Sequence, residues 1–186
     1  MNSTRIETDF NFLAALHFEN AFYVNAYDIT LSMLVETDSI YEQNVAMDRA
    51  EHFLKNVLQN SLLINARLED ETLSYRAAGM RICHLPEEPF DQMLAMVLLL
   101  KLNAIMENRL KITDMVIGSA MSDGVRFSIV AESAENVLSG NFWWNSPCLA
   151  INNFNDSGID HTKVIRLFNN DEWVNLGLAF RETANK

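Results

Sequence analysis

An α+β fold, an antiparallel sheet of hairpins packed against two main helices, is what this sequence predicts, and three features carry the prediction. From Tyr23 to Val35 the odd positions read Tyr23, Asn25, Tyr27, Ile29, Leu31, Met33 and Val35, while Asp28, Thr30, Ser32 and Glu36 fall on even ones; that period of two marks a half-buried strand. Two stretches, starting at Ile40 and at Phe90, instead carry helical character. Near residue 120, KITDMVIGSAM and VRFSIVAES are joined through Ser122, Asp123 and Gly124, and the Asp-Gly pair suits a tight turn with positive φ.

Taken in order, DFNFLAALHFE runs into ENA at 19–21 and then into the alternating strand, so a long hairpin opens the chain. Ser39 can accept from the amide of Glu42, and the Glu42 carboxylate can return the bond, a capping box that starts a helix at Ile40. Ala46, Ala50, Phe53, Leu54, Val57, Leu58 and Leu62 share one face of that helix. TLSYRAAGMRICHL, residues 72–85, is expected as a strand with Gly79 at a bulge, closed by Pro86 and Pro89. The helix Phe90–Asn108 is apolar nearly all round between Met93 and Leu102 and needs cover on several sides, for which a second subunit is the expected source. Beyond Ser133 the pattern weakens to a strand near Phe142–Ile151, a loop, and a small C-terminal hairpin or helix. With no solenoid-length repeat and no linker, residues 1–186 are expected as one domain, with 134–186 as its extension.

The 186 residues are 49% hydrophobic, enough for a sizeable core. Lys and Arg number 14 against 25 Asp and Glu, a formal charge of -11 that repels a phosphate backbone and offers no basic run to offset the repulsion. Nucleic-acid binding is disfavoured. Cys83 and Cys148 stand far apart and outside any C-x-x-C spacing, so neither a disulfide framework nor a zinc knuckle is indicated. MNSTRIETDF lacks the basic end and apolar run of a secretory signal, and a cytoplasmic location is expected. The apolar run MLAMVLLLKL, interrupted by Lys101 and flanked by Asp91 and Glu107, is too short to span a bilayer, so no membrane association is expected.

Chemistry-bearing groups are scattered. His17, His52, His84 and His161 sit in no H-x-H, H-E-x-x-H or Cys/His cluster, and no metal or cofactor is called for. His17, among Phe12, Leu16 and Phe18, reads as a hydrogen-bonded packing residue. Cys83 and His84 are strand neighbours whose side chains point to opposite faces, which removes them as a nucleophile and base. NFNDSG at 153–158 begins like a calcium loop, but its twelfth position is Val164 where a bidentate Glu is needed. Trp143 and Trp144, read on a strand, face opposite sides, one to the core and one to a subunit contact or the surface, although the pair also suits a stacking platform. Asp28, Glu36, Glu132 and Glu135 lie at strand positions or ends where acid–base groups can sit.

Three stretches carry a resemblance. FLAALHF is similar to an F-x-A-A-H strand, VAMDRAEHFL to a V-M-D-F-x-x-L helix entry, and PFDQMLAMVLLLKL to a P-T-x-E-N-x-A helix. With the order hairpin, helix, helix, hairpin, these resemble the tunnelling fold of the 6-pyruvoyl- and 6-carboxytetrahydropterin synthase families, whose subunits join sheets into barrels. By that resemblance His17 matches one zinc ligand. Val24, Asn25 and Ala26 stand where the family has H-G-H, Gly118 and Ser119 stand near its ligand-anchoring Glu, and Glu132 falls one strand later. The resemblance therefore implies a fold relative without the metal site.

The first functional reading is a non-enzymatic, self-associating assembly or regulatory protein, a homo-oligomer whose hairpins and apolar helix make the contacts. The alternative is a T-fold-like enzyme or binder of a small purine- or pterin-type heterocycle at a subunit interface, drawing on His17, Asp28, Glu36 and Glu132 with Trp143 or Trp144 stacking. A third reading is an acidic protein inhibitor that occupies a basic groove.

Overall fold

The computed structural model describes residues 4–138, 140 and 142–151. Strands β1 (Arg5–Phe18) and β2 (Ala21–Val35) pair along their whole length as the opening hairpin. Glu19 and Asn20 turn it with φ of 50° and 60°, the left-handed conformation that lets a two-residue loop follow the twist of its strands. Alternation then sorts the side chains. Phe12, Ala14 and Leu16 of β1 and Tyr27, Ile29, Leu31 and Met33 of β2 enter the core, while Glu7, Asp9, Asn11 and Asp28 face outward.

Strand β5 (Leu110–Ser119) pairs antiparallel with β2, and β6 (Arg126–Val130) antiparallel with β5. Asp123 and Gly124, at φ 50° and 82°, turn the second hairpin. On the other side of β1 lie β3 (Leu62–Asn65) and β4 (Ile82–Leu85), both parallel additions, giving the order β4-β3-β1-β2-β5-β6. The fold is α+β, but its sheet is mixed where an antiparallel one was expected.

Helix α1 (Ile40–His52) begins where Ser39 accepts from the Glu42 amide at 3.4 Å. Glu42 does not return the bond, because its carboxylate takes the Thr37 hydroxyl at 2.8 Å. The helix loosens into a π-helical segment, Phe53–Leu58, in which the Gln59 amide reaches back to Leu54 O. Leu62 is thus not on the helix face but opens β3. The expected strand at 72–85 is helix α2 (Glu69–Ala77) followed by β4. Local helical pairing decides it: the Thr72 hydroxyl donates to Leu68 O at 2.8 Å, and Tyr75 OH reaches Glu71 at 3.4 Å, both four residues apart. Gly79, at φ 81°, ends the helix in the left-handed region instead of forming a bulge.

Helix α3 (Asp91–Met106) follows, and after β6 the chain turns at once into α4 (Ala131–Val137), so Glu132 and Glu135 are helical. The expected strand at 142–151 is absent. Trp143–Asn145 form a 3-10 turn, with both indoles buried in T-shaped contact at 5.8 Å, so neither offers a surface platform. The acidic loop at 153–158, His161 and the C-terminal hairpin or helix lie outside the described residues. Helix α3 is buried from Leu94 through Leu102 except at Met96 and is packed by α1, α4, β4, β5, β6 and the 143–145 turn. The chain itself thus supplies cover that the sequence assigned to a second subunit. No helix among the described residues is long and apolar enough to cross a membrane.

Within this apolar helix Lys101 is fully buried, and its Nζ donates to Trp143 O, Ser146 O and Cys148 O at 2.9, 2.9 and 2.6 Å. Burial pushes Lys101 down to about 7. Three carbonyl acceptors act the other way, since only the ammonium supplies three donors. Arg49, also buried, donates to Pro147 O at 3.1 Å, so two cations shape the 143–148 loop. The loop in turn places Trp143 Nε1 on His84 O at 3.0 Å, which occupies a backbone acceptor of edge strand β4. Lys101→Met keeps the volume but strands three carbonyls, and is expected to cost about 3 kcal/mol in chemical denaturation. Unchanged stability would mean that water satisfies those carbonyls.

Candidate ligand pocket

At the end of the sheet where the β1–β2 hairpin turns, the inward stripe of β2 carries one polar residue, Asn25, 2% exposed. Its Oδ1 accepts from the Met121 amide at 3.2 Å and ties the β5–β6 turn to β2. Helix α3 begins beside it. There the Ser119 hydroxyl donates to Asp91 Oδ2 at 2.8 Å, and the Ser119 amide donates to Ser122 Oγ at 3.1 Å. Around these groups opens a cavity of about 250 Å³ with Phe18, Phe90 and Phe127 in its lining. Phe18 and Phe90 meet edge to face at 5.3 Å.

Below lies Tyr27, stacked on Phe12 at 5.0 Å. Burial raises its phenol well above the ordinary range; Asn25 opposes that shift and the Asp91 carboxylate adds to it. No well-formed hydrogen bond closes on the Tyr27 hydroxyl. Among the described residues the lining offers a carboxylate, carboxamides, hydroxyls and aromatic edges, and no His, Cys or Lys. Asp91 there is a fixed acceptor for N–H groups among apolar rings.

The six candidate residues from the sequence are not brought together. Asp28 lies on the outer face, paired with Arg126 at 2.7 Å over Gly118, where an added Cβ would meet both side chains at 3.2 Å. Glu36 is exposed at the far end of β2, and Glu132 is exposed in the first turn of α4. Trp143 and Trp144 are buried against α3. His17 is buried on the sheet face opposite the pocket, with Nε2 3.2 Å from Glu71 Oε2 and its ring against Phe22 and Tyr75. Among the described residues, no cluster of three or more His, Cys, Asp or Glu is placed to hold a metal.

The pocket residues were missed because each looks ordinary alone. Asn25 carries a visible signal, a polar residue inside a buried stripe, yet in the resemblance it only marks where a metal motif is missing. Asp91 and Ser119 are far apart in sequence and meet only because β5 runs back along α3. No protein-family model matches the chain, and no curated protein matches it significantly.

His17 and His84 both lie under α2, beside a small second core of Leu62, Ile64 and Ile82. His84 Nε2 lies 3.3 Å from Thr72 Oγ1. Burial, aided by Arg76, pushes the His84 imidazole down to about 4. Between that value and the ordinary 6.5 the unfolded chain binds the proton and the folded one does not, so stability falls as pH drops through this window. Denaturation midpoints should therefore decline from pH 6.5 to 4, and His84→Gln should flatten that decline by an amount of order 2 kcal/mol. An equally steep variant would remove His84 as the cause.

Proposed function

We propose that this protein binds a small, flat heterocycle presenting adjacent N–H donors, of the 2-aminopyrimidinone type found in guanines and pterins. The observation that carries the reading is the Asp91 carboxylate, held by Ser119 at 2.8 Å at a cavity with three phenylalanines in its lining. Such a carboxylate accepts paired N–H bonds, and the rings cover an aromatic face. The cavity is built within one chain, unlike the subunit-interface site implied by the resemblance. The tunnelling-fold kinship is part of this reading. It is supported by the antiparallel succession β1-β2-β5-β6 with α1 and α3 between β2 and β5, and limited by β3 and β4, which occupy the edge of β1.

In calorimetric titrations guanosine or neopterin should bind, and inosine, which lacks the 2-amino group, should bind at least fivefold more weakly. Asp91→Asn should weaken the ligand about tenfold, since one charge-assisted bond of ~1.5 kcal/mol is lost. Equal affinity for guanosine and inosine, or an unaffected variant, would reject the proposal.

Self-association is a second reading, favoured by the contrast between sheet edges. Strand β4 is engaged by Trp143, whereas nothing among the described residues pairs with the outer edge of β6, where Val125 just before the strand and Val130 at its end are exposed. A second copy pairing β6 with β6 would close a two-fold dimer. Native mass spectrometry should then find a dimer that Ser128→Lys dissociates by placing like charges together; a monomeric wild type would exclude it. The acidic-inhibitor reading draws less support from the outer face, where Arg5–Asp114 and Arg126–Asp28 pairs interrupt the negative charge.

A further inference from the structure

A second cavity, sharing no lining residue with the first, opens where the π-helical segment ends. It measures about 420 Å³ and is lined by Lys55, Asn56, Gln59, Asn60 and Arg81, with Ala15, Leu62, Gly79 and Met80 completing the wall. In a chain of formal charge -11 the described residues of its lining are two cations, three carboxamides and four apolar or glycine residues, with no carboxylate among them. We propose that this cleft binds a small polar metabolite through a phosphate group.

Several features support that chemistry. The π-helical stretch Phe53–Leu58 is a rare conformation that tends to occur at functional sites, and it delivers Lys55 and Asn56 to the cavity. Arg81 is anchored: its Nη1 donates to Asn56 O and Val57 O at 2.5 and 2.8 Å, leaving Nη2 and Nε without a partner among the described residues. A guanidinium held along one edge presents its remaining donors in a fixed fork, the geometry that matches two phosphate oxygens. Lys55 is paired with Glu51 at 2.5 Å, but both side chains are about half exposed, and such a pair yields readily to a dianion. Asn60, at φ 61°, and Gly79, at φ 81°, hold the two turns that border the cleft. The volume exceeds that of bare phosphate, and the carboxamides suit the hydroxyls of an attached sugar or polyol.

The test is calorimetric titration of the whole protein in chloride buffer with ribose 5-phosphate, inorganic phosphate and ribose. Ribose 5-phosphate should bind saturably, ribose should not, and Lys55→Gln should weaken binding at least fivefold while Lys55→Arg restores it. Arg81→Gln should abolish binding; since it also frees two carbonyls, the exposed Lys55 variants carry the decision. Asp91→Asn should leave this affinity unchanged, which separates the site from the heterocycle pocket. Inorganic phosphate binding as tightly as the sugar phosphate, with the same loss in Lys55→Gln, would uphold the anion site and assign it to free phosphate. No saturable binding, or equal responses in wild type and Lys55→Gln, would overturn the proposal.

Discussion

Helix α3 presents apolar side chains in nearly every direction, and the cost of leaving such a surface in water dictates where the surrounding elements lie. Burying one leucine is worth roughly 2 kcal/mol, and α3 buries Leu94, Leu98, Leu99, Leu100 and Leu102 within three turns. The sheet takes one side, α1 and α4 take others, and the 143–149 segment closes the remainder. That last contact is polar at its centre. The Lys101 ammonium gathers three carbonyls there, so a charge within the apolar helix specifies the path of the chain that covers it.

Fixing α3 also fixes its first residue. Asp91 stands at the start of the helix, next to the end of β5, where Ser119 can reach it and Asn25 anchors the following turn. The pocket is thus a consequence of the core: its polar groups sit on the ends of elements whose middles are tightly packed. The opposite face is organised differently. There α2 covers a small patch of β1 and β4 through Glu71 with His17 and Thr72 with His84, leaving most of the outer face of β1 and β2 to ion pairs and solvent.

Much of the frame was legible because it rests on local patterns. The alternation from Tyr23 to Val35, the Ser39 cap and the Asp123–Gly124 turn each specify structure within a few residues; the hairpins and α1 follow from them, and α3 from its apolar run at 93–102. The β3-α2-β4 insertion was not legible. Residues 72–85 mix apolar and polar positions without a clean period, and the choice of helix depended on capping at Gly79 and pairing at Thr72 and Tyr75. Strand order was hidden as well, because parallel addition to β1 leaves no turn signature. Of the candidate site, the sequence singled out carboxylates and tryptophans by type, whereas the pocket selects Asn25, Asp91 and Ser119 by position. His17 is buried beneath α2 against Phe22, Tyr75 and Glu71, and not among Phe12, Leu16 and Phe18, which lie on the other face of β1.

Amide chemical shifts followed on addition of guanosine would show whether the end of the sheet beside α3 is the recognition pocket proposed above, organised by Asp91. Changes are expected at residues 90–92, 119–122 and the Asn25 side-chain amide, with residues 55–60 and 79–81 unaffected. Shifts confined to the second cleft, or none at saturating ligand, would contradict that proposal.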